Sequence, residues 1–213
     1  MATRRFALIS ETEARHIEPG TTVELEAGGH VTPLAADTLR ERRVTVVPAG
    51  TVDPALPADL GPVSPVRRVV IGSDHTGLAL KAAIVAHLRG QALAVEDVGT
   101  HTTDAVDYPD IAAAVARAVV RGEADAGIVI DGAGLGSTIA ANKVRGARAA
   151  MCLNVTLARY AREHNGANVL ALGSTLVDIA TGLAIVDTWL TTPMREARYL
   201  RRLRKVRRLE ERF

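Results

Sequence analysis

The feature that most constrains the fold is a regular alternation of short β-prone runs with longer helix-compatible segments after residue 66. Each apolar, strand-like run is followed by a segment compatible with a helix, and this happens five times. The alternation predicts an α/β domain of the doubly wound, Rossmann-like type, built on a five-stranded, mostly parallel sheet. The predicted strands, each with the helix that follows it, are 69–71 with 78–88, 92–97 with 111–120, 127–130 with a helix from about 137, 148–152 with 157–164, and 169–172 with 176–190.

Two segments precede this domain, which is placed at 66–213. Residues 48–65 contain five prolines, and 51–65 are interpreted as a proline-rich linker. Residues 1–50 are predicted to form a small N-terminal α+β module. Its elements are a strand at 21–26, a helix at 34–42 after the Thr32–Pro33 start signal, and a strand at 44–47. Such a module has few large apolar side chains, so we expect it to pack against its own main domain or another protein.

Composition and charge exclude several classes of protein. No apolar run reaches the length of a membrane span, and the N-terminus lacks the apolar stretch of a signal peptide, so a cytoplasmic protein is expected. The single Cys152 excludes an intramolecular disulfide and a cysteine-only metal site. Nine Lys and Arg residues lie within 195–212. They fit a solvated helix face, a nucleic-acid patch or phosphate ligands, and nucleic acid is the weakest because only Tyr199 is interleaved.

A glycine-rich turn follows the third predicted strand and precedes a helix. The strand 127–130 ends in Asp131, and Gly132, Gly134 and Gly136 then alternate with small residues. Free backbone N–H groups and the positive end of a helix dipole meet at such a turn, which makes it an anion-binding site. A carboxylate beside these donors predicts proton-transfer chemistry on a small, phosphorylated molecule.

The turn by itself leaves a second interpretation open. It matches no P-loop, because no Gly-Lys-Ser/Thr closes it, and a tight strand-to-helix turn needs glycine for steric reasons alone. A further observation favours a functional site: polar residues follow several predicted strands, at the sheet edge where such folds bind ligands. These residues are Asp74 with His75, 99–101, 131–136 and 173–175.

Four long motifs and one weaker one resemble the ribose-5-phosphate isomerase B family, which includes the subunits of galactose-6-phosphate isomerase. They are IGSDHTGLALK (71–81), VGTHTTDAVDYPD (98–110), GAGLGSTIAANKVRGARAA (132–150), AREHNGANVLALGS (161–174) and the arginine-rich end around 198–202. The resemblance spans 69–213, about two thirds of the chain. It implies aldose–ketose isomerisation of a sugar phosphate through an enediolate, without metal or cofactor. It also implies an active site at the interface of a homodimer or tetramer.

The resemblance further implies roles for individual residues. His164 would assist ring opening by exchanging hydroxyl protons. Arg198 and Arg202, one helical turn apart, would clamp the phosphate together with His75. The glycine turn would supply N–H donors to the enediolate oxygen. The residues implied in substrate binding are Asp74, His75, Tyr108, Gly132, Gly134, Gly136, Ser137 and Asn165.

This chain departs from the family pattern at the base. Asp131 stands where many members carry a cysteine, and Ser137 where others carry a glutamate, so Asp131 is the carboxylate predicted to act as base. Ala133 replaces a threonine that often aids ring opening, and Thr175 replaces a frequent phosphate-binding arginine. These changes favour a related substrate other than ribose 5-phosphate, such as a four-carbon sugar phosphate that cannot cyclise.

Structural roles and a second function stay open for the same residues. His75 can cap the helix that follows it, Asp131 can be a helix-capping acid, and His164 is favourable near a helix C-terminus without any catalysis. The alternative function is a sugar-phosphate-binding or scaffold protein that kept the fold and lost efficient chemistry.

The N-terminal module carries a second, shorter resemblance. The segment HVTPLAADTLRERRVTVV (30–47) is similar to short stretches in proteins tied to bacterial microcompartments, where a small extension can direct cargo into a shell. Residues 1–50 are therefore expected to mediate targeting or assembly through a shell or assembly partner. No nucleic-acid or membrane partner is expected.

Overall fold

The chain forms two compact units. The structure, a computed structural model, describes residues 4–49, 60–194 and 196–211. The first unit contains the described residues up to 49 together with 196–204, and the second contains the remainder. Most of the predicted linker falls on 50–59, outside the described residues.

The first unit contains a three-stranded parallel sheet with two helices. Its elements are β1 (Arg5–Ile9), α1 (Glu11–His16), β2 (Thr22–Val31), α2 (Pro33–Glu41) and β3 (Thr45–Pro48). The strands lie in the order β1-β2-β3, and both pairings are parallel. The sequence predicted β2, α2 and β3, whereas β1 and α1 are additional. Strands and helices therefore alternate in this module instead of being segregated.

Local sequence explains where the two helices begin. Ser10 and Glu13 form a capping box at α1, with the Ser10 N–H donating to the Glu13 carboxylate at 2.7 Å. Thr32 caps α2 by accepting the N–H of Ala35, and Pro33 occupies the first turn. With only six residues, α1 is too short to show a helical period in the sequence. The core of this unit consists of Ile9, Ala14, Ile17, Val23, Ala35, Leu39 and Val44.

The second unit is the predicted doubly wound domain. Its elements are β4 (Arg68–Ser73), α3 (Leu78–Gly90), β5 (Ala94–Asp97), α4 (Tyr108–Val120), β6 (Ala126–Asp131), α5 (Leu135–Ala141), β7 (Ala149–Met151), α6 (Val155–Glu163), β8 (Val169–Gly173) and α7 (Ile179–Thr191). A last helix, α8 (Ala197–Glu210), contributes residues to both units. The sheet order is β5-β4-β6-β8-β7, and every pairing is parallel, which confirms the predicted fold class.

Helices cover both faces of this sheet. Side chains of α3, α6 and α7 pack on one face around the fully buried Trp189, and α4 and α5 pack on the other around Val115 and Val129. Both faces of the central strands are thus buried, so β6 and β8 are continuous apolar runs without alternation. Because all strands are parallel, their carboxyl ends meet at one edge.

Candidate active site

Two strand ends define a crevice at the carboxyl edge of the five-stranded sheet. β4 and β6 are neighbours, and the order of connection reverses there, because β5 lies on one side of β4 and β6, β8 and β7 lie on the other. Ligands of open α/β sheets bind at such a switch point. β4 leads directly into Asp74 and β6 ends in Asp131, so two buried carboxylates flank the crevice, 7% and 4% exposed.

The Asp131 carboxylate accepts backbone N–H groups from the turn that follows it. Its Oδ1 accepts the N–H of Ala133 at 2.9 Å and that of Gly134, and its Oδ2 accepts the N–H of Ser137 at 2.8 Å. Asp131 therefore occupies part of the N–H cradle that the sequence predicted for a substrate oxygen. These charge-assisted bonds order the turn and fix the orientation of the carboxylate.

The three glycines of the turn have different reasons to be glycine. Gly134 has φ of +76°, a backbone conformation that side chains rarely adopt. At Gly136 a Cβ would lie 2.5 Å from Cζ of Tyr108, so the Tyr108 ring packs directly on the turn. At Gly132 a Cβ would lie 3.7 Å from the hydroxyl oxygen of Thr76. The structure thus brings Tyr108 and the glycine turn together.

The connection between β8 and α7 holds this turn from the other side. The Ser174 N–H donates to the Asp131 carbonyl at 2.8 Å. The Thr175 N–H and hydroxyl both donate to the Gly132 carbonyl, at 3.0 and 2.6 Å. Thr175 therefore stabilises the turn. The family resemblance implied that it replaces a phosphate-binding arginine.

Asp74, rather than His75, caps the short 3-10 turn His75–Gly77. Its Oδ1 accepts the N–H of Thr76 at 2.9 Å and the Thr76 hydroxyl at 2.6 Å. The Nδ1 atom of His75 lies 3.4 Å from the Val106 N–H, which assigns Nδ1 as acceptor and places the proton of the neutral ring on Nε2. A ring N–H of this kind suits a phosphate oxygen.

His164 and Asn165 lie near the amino ends of the strands, whereas Asp131 lies at their carboxyl ends. α6 runs back from the carboxyl edge, His164 is its C-cap, and β8 then begins at Val169. Asp131 pairs in register with Gly173, and the four residue steps from Val169 to Gly173 span about 13 Å. The His164 ring stacks on Tyr160, with centroids 4.6 Å apart. One chain therefore does not place His164 beside its own Asp131.

Arg198 and Arg202 lie on α8, within the residues that belong to the first unit. The guanidinium groups of both stack on the Tyr199 ring, 4.8 and 5.7 Å from its centroid. Arg198 also forms an ion pair with Glu196 and donates to the Tyr199 hydroxyl at 3.0 Å. The bond with Glu196 raises the pKa of Arg198 above its usual value.

Lys81 is a buried group near the crevice that sequence reasoning missed. It is 3% exposed, and its Nζ donates to Asp97 at 2.7 Å and to the Thr100 carbonyl at 2.5 Å. The Thr100 N–H in turn donates to the Ser73 carbonyl at 2.6 Å. The ion pair thereby ties the loop after β5 to the end of β4, from which Asp74 emerges. A lysine inside a helix and an acid at a strand end are too common to have signalled this pairing.

Cys152 is the single cysteine of the chain and is buried. Burial raises the pKa of the Cys152 thiol to about 12, so this buried cysteine is a neutral packing residue at physiological pH. Over the residues that the structure describes, no three His, Cys, Asp or Glu side chains are grouped as metal ligands would be. Among the described helices, none is long and apolar enough to cross a membrane.

The fold and the crevice define a doubly wound α/β protein with a carboxylate and backbone donors at its switch point. A family model described as Ribose/Galactose Isomerase matches residues 69–206, which includes both sides of the crevice and leaves the N-terminal module outside. The chain belongs to the ribose/galactose isomerase family. It is an enzyme, an aldose–ketose isomerase.

Curated and solved relatives agree with this placement. Ribose-5-phosphate isomerase B of Escherichia coli is 42% identical over 146 residues, which cover 68% of this chain and 98% of the relative. The structure of the enzyme of that name from Clostridium thermocellum is 49% identical, with a TM-score of 0.67 and coverage of 68% and 98%. The enzyme from Mycoplasma genitalium, solved with bound ribulose-5-phosphate, is 41% identical, with a TM-score of 0.66 and coverage of 68% and 97%.

Proposed function

We propose that this isomerase interconverts the aldose and ketose forms of a sugar phosphate, with Asp131 as the base. Asp131 takes the C2 proton of the open-chain aldose, and the carbonyl oxygen on C1 gains the electron pair as an enediolate forms. Return of the proton to C1, with transfer of the O2 hydroxyl proton to O1, gives the ketose. The names of the relatives from Escherichia coli and Clostridium thermocellum support a sugar phosphate as substrate class.

The observation that carries this proposal is the placement of Asp131. It is a buried carboxylate at the switch point, and backbone N–H groups hold both of its oxygens. A base of fixed orientation loses little entropy when the substrate carbon reaches it. The other carboxylate at the crevice, Asp74, is engaged by Thr76 and fits a role in binding substrate hydroxyl groups.

The glycine turn still offers donors to the enediolate oxygen. Gly134 gives its N–H to Asp131, but Gly136 lies in the first turn of α5, where N–H groups have no partner within the helix. We assign oxyanion stabilisation to the N–H groups of Gly132 and Gly136. Ser137 contributes its N–H to holding the base.

The active site proposed here is shared between two copies of the chain in a homodimer or tetramer. His164 and Asn165 lie at the sheet edge opposite Asp131, so a second copy has to supply them if they act on the same substrate. His164 of that copy would exchange hydroxyl protons, and Asn165 would bind a sugar oxygen. Arg198, Arg202 and the Nε2–H of His75 are proposed to hold the phosphate.

Deuterium exchange tests the chemistry. Aldose and ketose phosphates of four to six carbons are incubated with the wild type in deuterated water and followed by NMR. We expect deuterium at C1 or C2 of at least one sugar with the wild type and none with Asp131→Asn. Asp178→Asn is the matched control, because Asp178 caps α7 through one N–H bond at 2.7 Å and should leave exchange unchanged. Exchange that persists in Asp131→Asn would remove Asp131 as the base.

Mixed oligomers test the sharing of the site. Asp131→Asn and His164→Ala are purified separately, mixed, and allowed to exchange subunits. If each site combines Asp131 from one copy with His164 from another, mixing restores part of the activity that neither variant has alone. Mixtures that stay inactive after verified subunit exchange would contradict a site shared between copies.

A second candidate function, binding of a sugar phosphate without efficient catalysis, is favoured by one observation. The Asp131 carboxylate fills donors of the turn that a free oxyanion hole would offer to substrate. A protein of this kind binds the sugar phosphates of the panel and exchanges their carbon-bound protons only slowly. The same NMR experiment therefore separates the two functions.

For the N-terminal module we propose a role in assembly, with residues 1–50 binding a shell or assembly partner of a bacterial microcompartment in the cytoplasm. The module has its own buried core, and the family match begins only at residue 69. A chain that begins at residue 60 is compared with the full chain for oligomeric state and partner capture. Unchanged behaviour in both measurements would end this proposal.

A further inference from the structure

Thr76 faces the crevice between β4 and β6, and the reaction as proposed gives it no role. It is an exposed residue that directly follows Asp74 and His75 at the end of β4. If Gly132 carried a Cβ, that atom would lie 3.7 Å from the Thr76 hydroxyl oxygen. A substrate held beside the Asp131 turn therefore borders on the Thr76 hydroxyl.

The bonds of Thr76 fix the Asp74 carboxylate. The Thr76 N–H and hydroxyl both donate to Oδ1 of Asp74, at 2.9 and 2.6 Å. Two donors on one oxygen set the rotation of the carboxylate and leave Oδ2 to accept from another group. The single hydroxyl proton of Thr76 is used in this bond, so its oxygen can act towards a ligand only as an acceptor.

A second strand extends the same chain of hydroxyl groups. The Ser174 hydroxyl, which follows β8, lies 3.5 Å from the Thr76 hydroxyl oxygen and donates towards it. The Ser174 hydroxyl donates to the Thr76 hydroxyl, which in turn donates to the charged Asp74 carboxylate. Such a chain holds Thr76 in one rotamer, because turning the hydroxyl away breaks bonds at both of its ends.

We infer that Thr76 is a positioning residue that determines specificity: it orients Asp74 so that Oδ2 accepts one hydroxyl of the open-chain sugar, while its own oxygen accepts the neighbouring hydroxyl. The inference rests on the proposed isomerase function. A charged and a neutral acceptor on the same side of the crevice suit two adjacent hydroxyl groups. The pair of acceptors selects sugars that present both groups on one side.

Two substitutions separate this role from a merely structural one. Thr76→Val keeps the size and branching of the side chain and the backbone N–H bond to Asp74, but removes the hydroxyl. Thr76→Ser keeps the hydroxyl and should restore the wild-type behaviour. Thr191→Val is the matched control, because the Thr191 hydroxyl donates within α7 to the Asp187 carbonyl at 2.7 Å and lies outside the crevice.

The experiment measures kcat and KM of the full-length variants with ribose 5-phosphate and erythrose 4-phosphate. We expect Thr76→Val to raise KM by about 10-fold, with a smaller change in kcat, since the substrate loses its bond to the Thr76 oxygen and Asp74 loses the hydroxyl that orients it. The ratio of kcat/KM between the two sugars should change as well. The bond that Thr76→Val removes is partly buried, so the melting temperature of this variant should fall slightly, while Asp74 keeps the N–H bond from residue 76. The melting temperatures of Thr76→Ser and Thr191→Val should match the wild type.

Each outcome has a defined meaning. A Thr76→Val enzyme within twofold of the wild type, or a Thr76→Ser enzyme impaired as much as Thr76→Val, overturns the positioning role. If the wild type isomerises neither sugar, titration of both sugar phosphates is followed by calorimetry. Weaker binding to Thr76→Val then retains the role of Thr76 and rejects only the reaction. If the wild type neither converts nor binds them, the role of Thr76 towards these sugars is overturned together with the substrate class.

Discussion

Replacement of Asp131 by asparagine should destabilise the second unit as well as abolish catalysis. In the structure the carboxylate accepts N–H groups of Ala133, Gly134 and Ser137 within a buried turn. Asparagine keeps one oxygen that can accept two of these bonds. Its amide NH₂ group then faces the Ser137 N–H, so that a buried donor meets a donor.

The size of the effect follows from these bonds. Loss of the charge-assisted bond to Ser137 costs about 1.5–3 kcal/mol, and the other two bonds lose their charge assistance. We therefore expect Asp131→Asn to lower the free energy of unfolding by about 2–4 kcal/mol. The control Asp178→Asn should leave it unchanged, because asparagine caps a helix as well as aspartate does and Asp178 is exposed.

The assay is urea unfolding followed by the fluorescence of Trp189. This is the single tryptophan of the chain and is fully buried in the core of the second unit, so its signal reports on that unit. All variants are compared at one protein concentration, since subunit association adds to apparent stability. An Asp131→Asn protein as stable as Asp178→Asn would refute the argument, because it would mean that the three N–H groups do not depend on the carboxylate.

Three further predictions concern buried groups of the second unit. Because burial raises the pKa of Cys152 to about 12, iodoacetamide at pH 8 should label the thiol only in denaturant, as measured by mass spectrometry. Burial raises the pKa of Asp125, but the hydrogen bonds from Arg68 and from the Arg67 N–H together outweigh it and lower that pKa. The stability that Asp125 adds over Asp125→Asn should therefore be complete at pH 6 and shrink below about pH 4 in urea titrations, and a constant difference would contradict it. Lys81→Met should lower the free energy of unfolding by about 1.5–3 kcal/mol, because the partly exposed Asp97 carboxylate loses its cation but keeps the Gly99 N–H. The double variant with Asp97→Asn should recover part of the loss.

Local pattern in the sequence was sufficient for much of the fold. All five strands and their following helices were predicted, because period-two and apolar runs bounded by turn residues need no long-range information. Boundaries moved by a few residues: the helix expected from Leu176 begins at Ile179, where Asp178 provides the cap. β1 and α1 were missed, because short elements carry too little periodicity to be recognised.

The candidate site was predictable only in part. Asp74, Asp131, Tyr108 and the glycine turn converge at the crevice because strand ends in a parallel sheet share an edge. The roles of Thr76 and Lys81 were not visible, because each depends on a partner that the fold brings close.

The sequence by itself determined the layered α/β architecture, the glycine-rich turn after β6 and the carboxylate that enters it, because these depend on neighbours within a few residues. Tertiary structure decided three other matters: that Thr175 holds the turn through the Gly132 carbonyl, that β8 inserts between β6 and β7, and that His164 lies far from Asp131, near the amino ends of the strands. The physical reason is that strand order and side-chain pairing depend on which surfaces bury one another. The free energy gained by this burial comes from contacts between segments that are far apart in the chain.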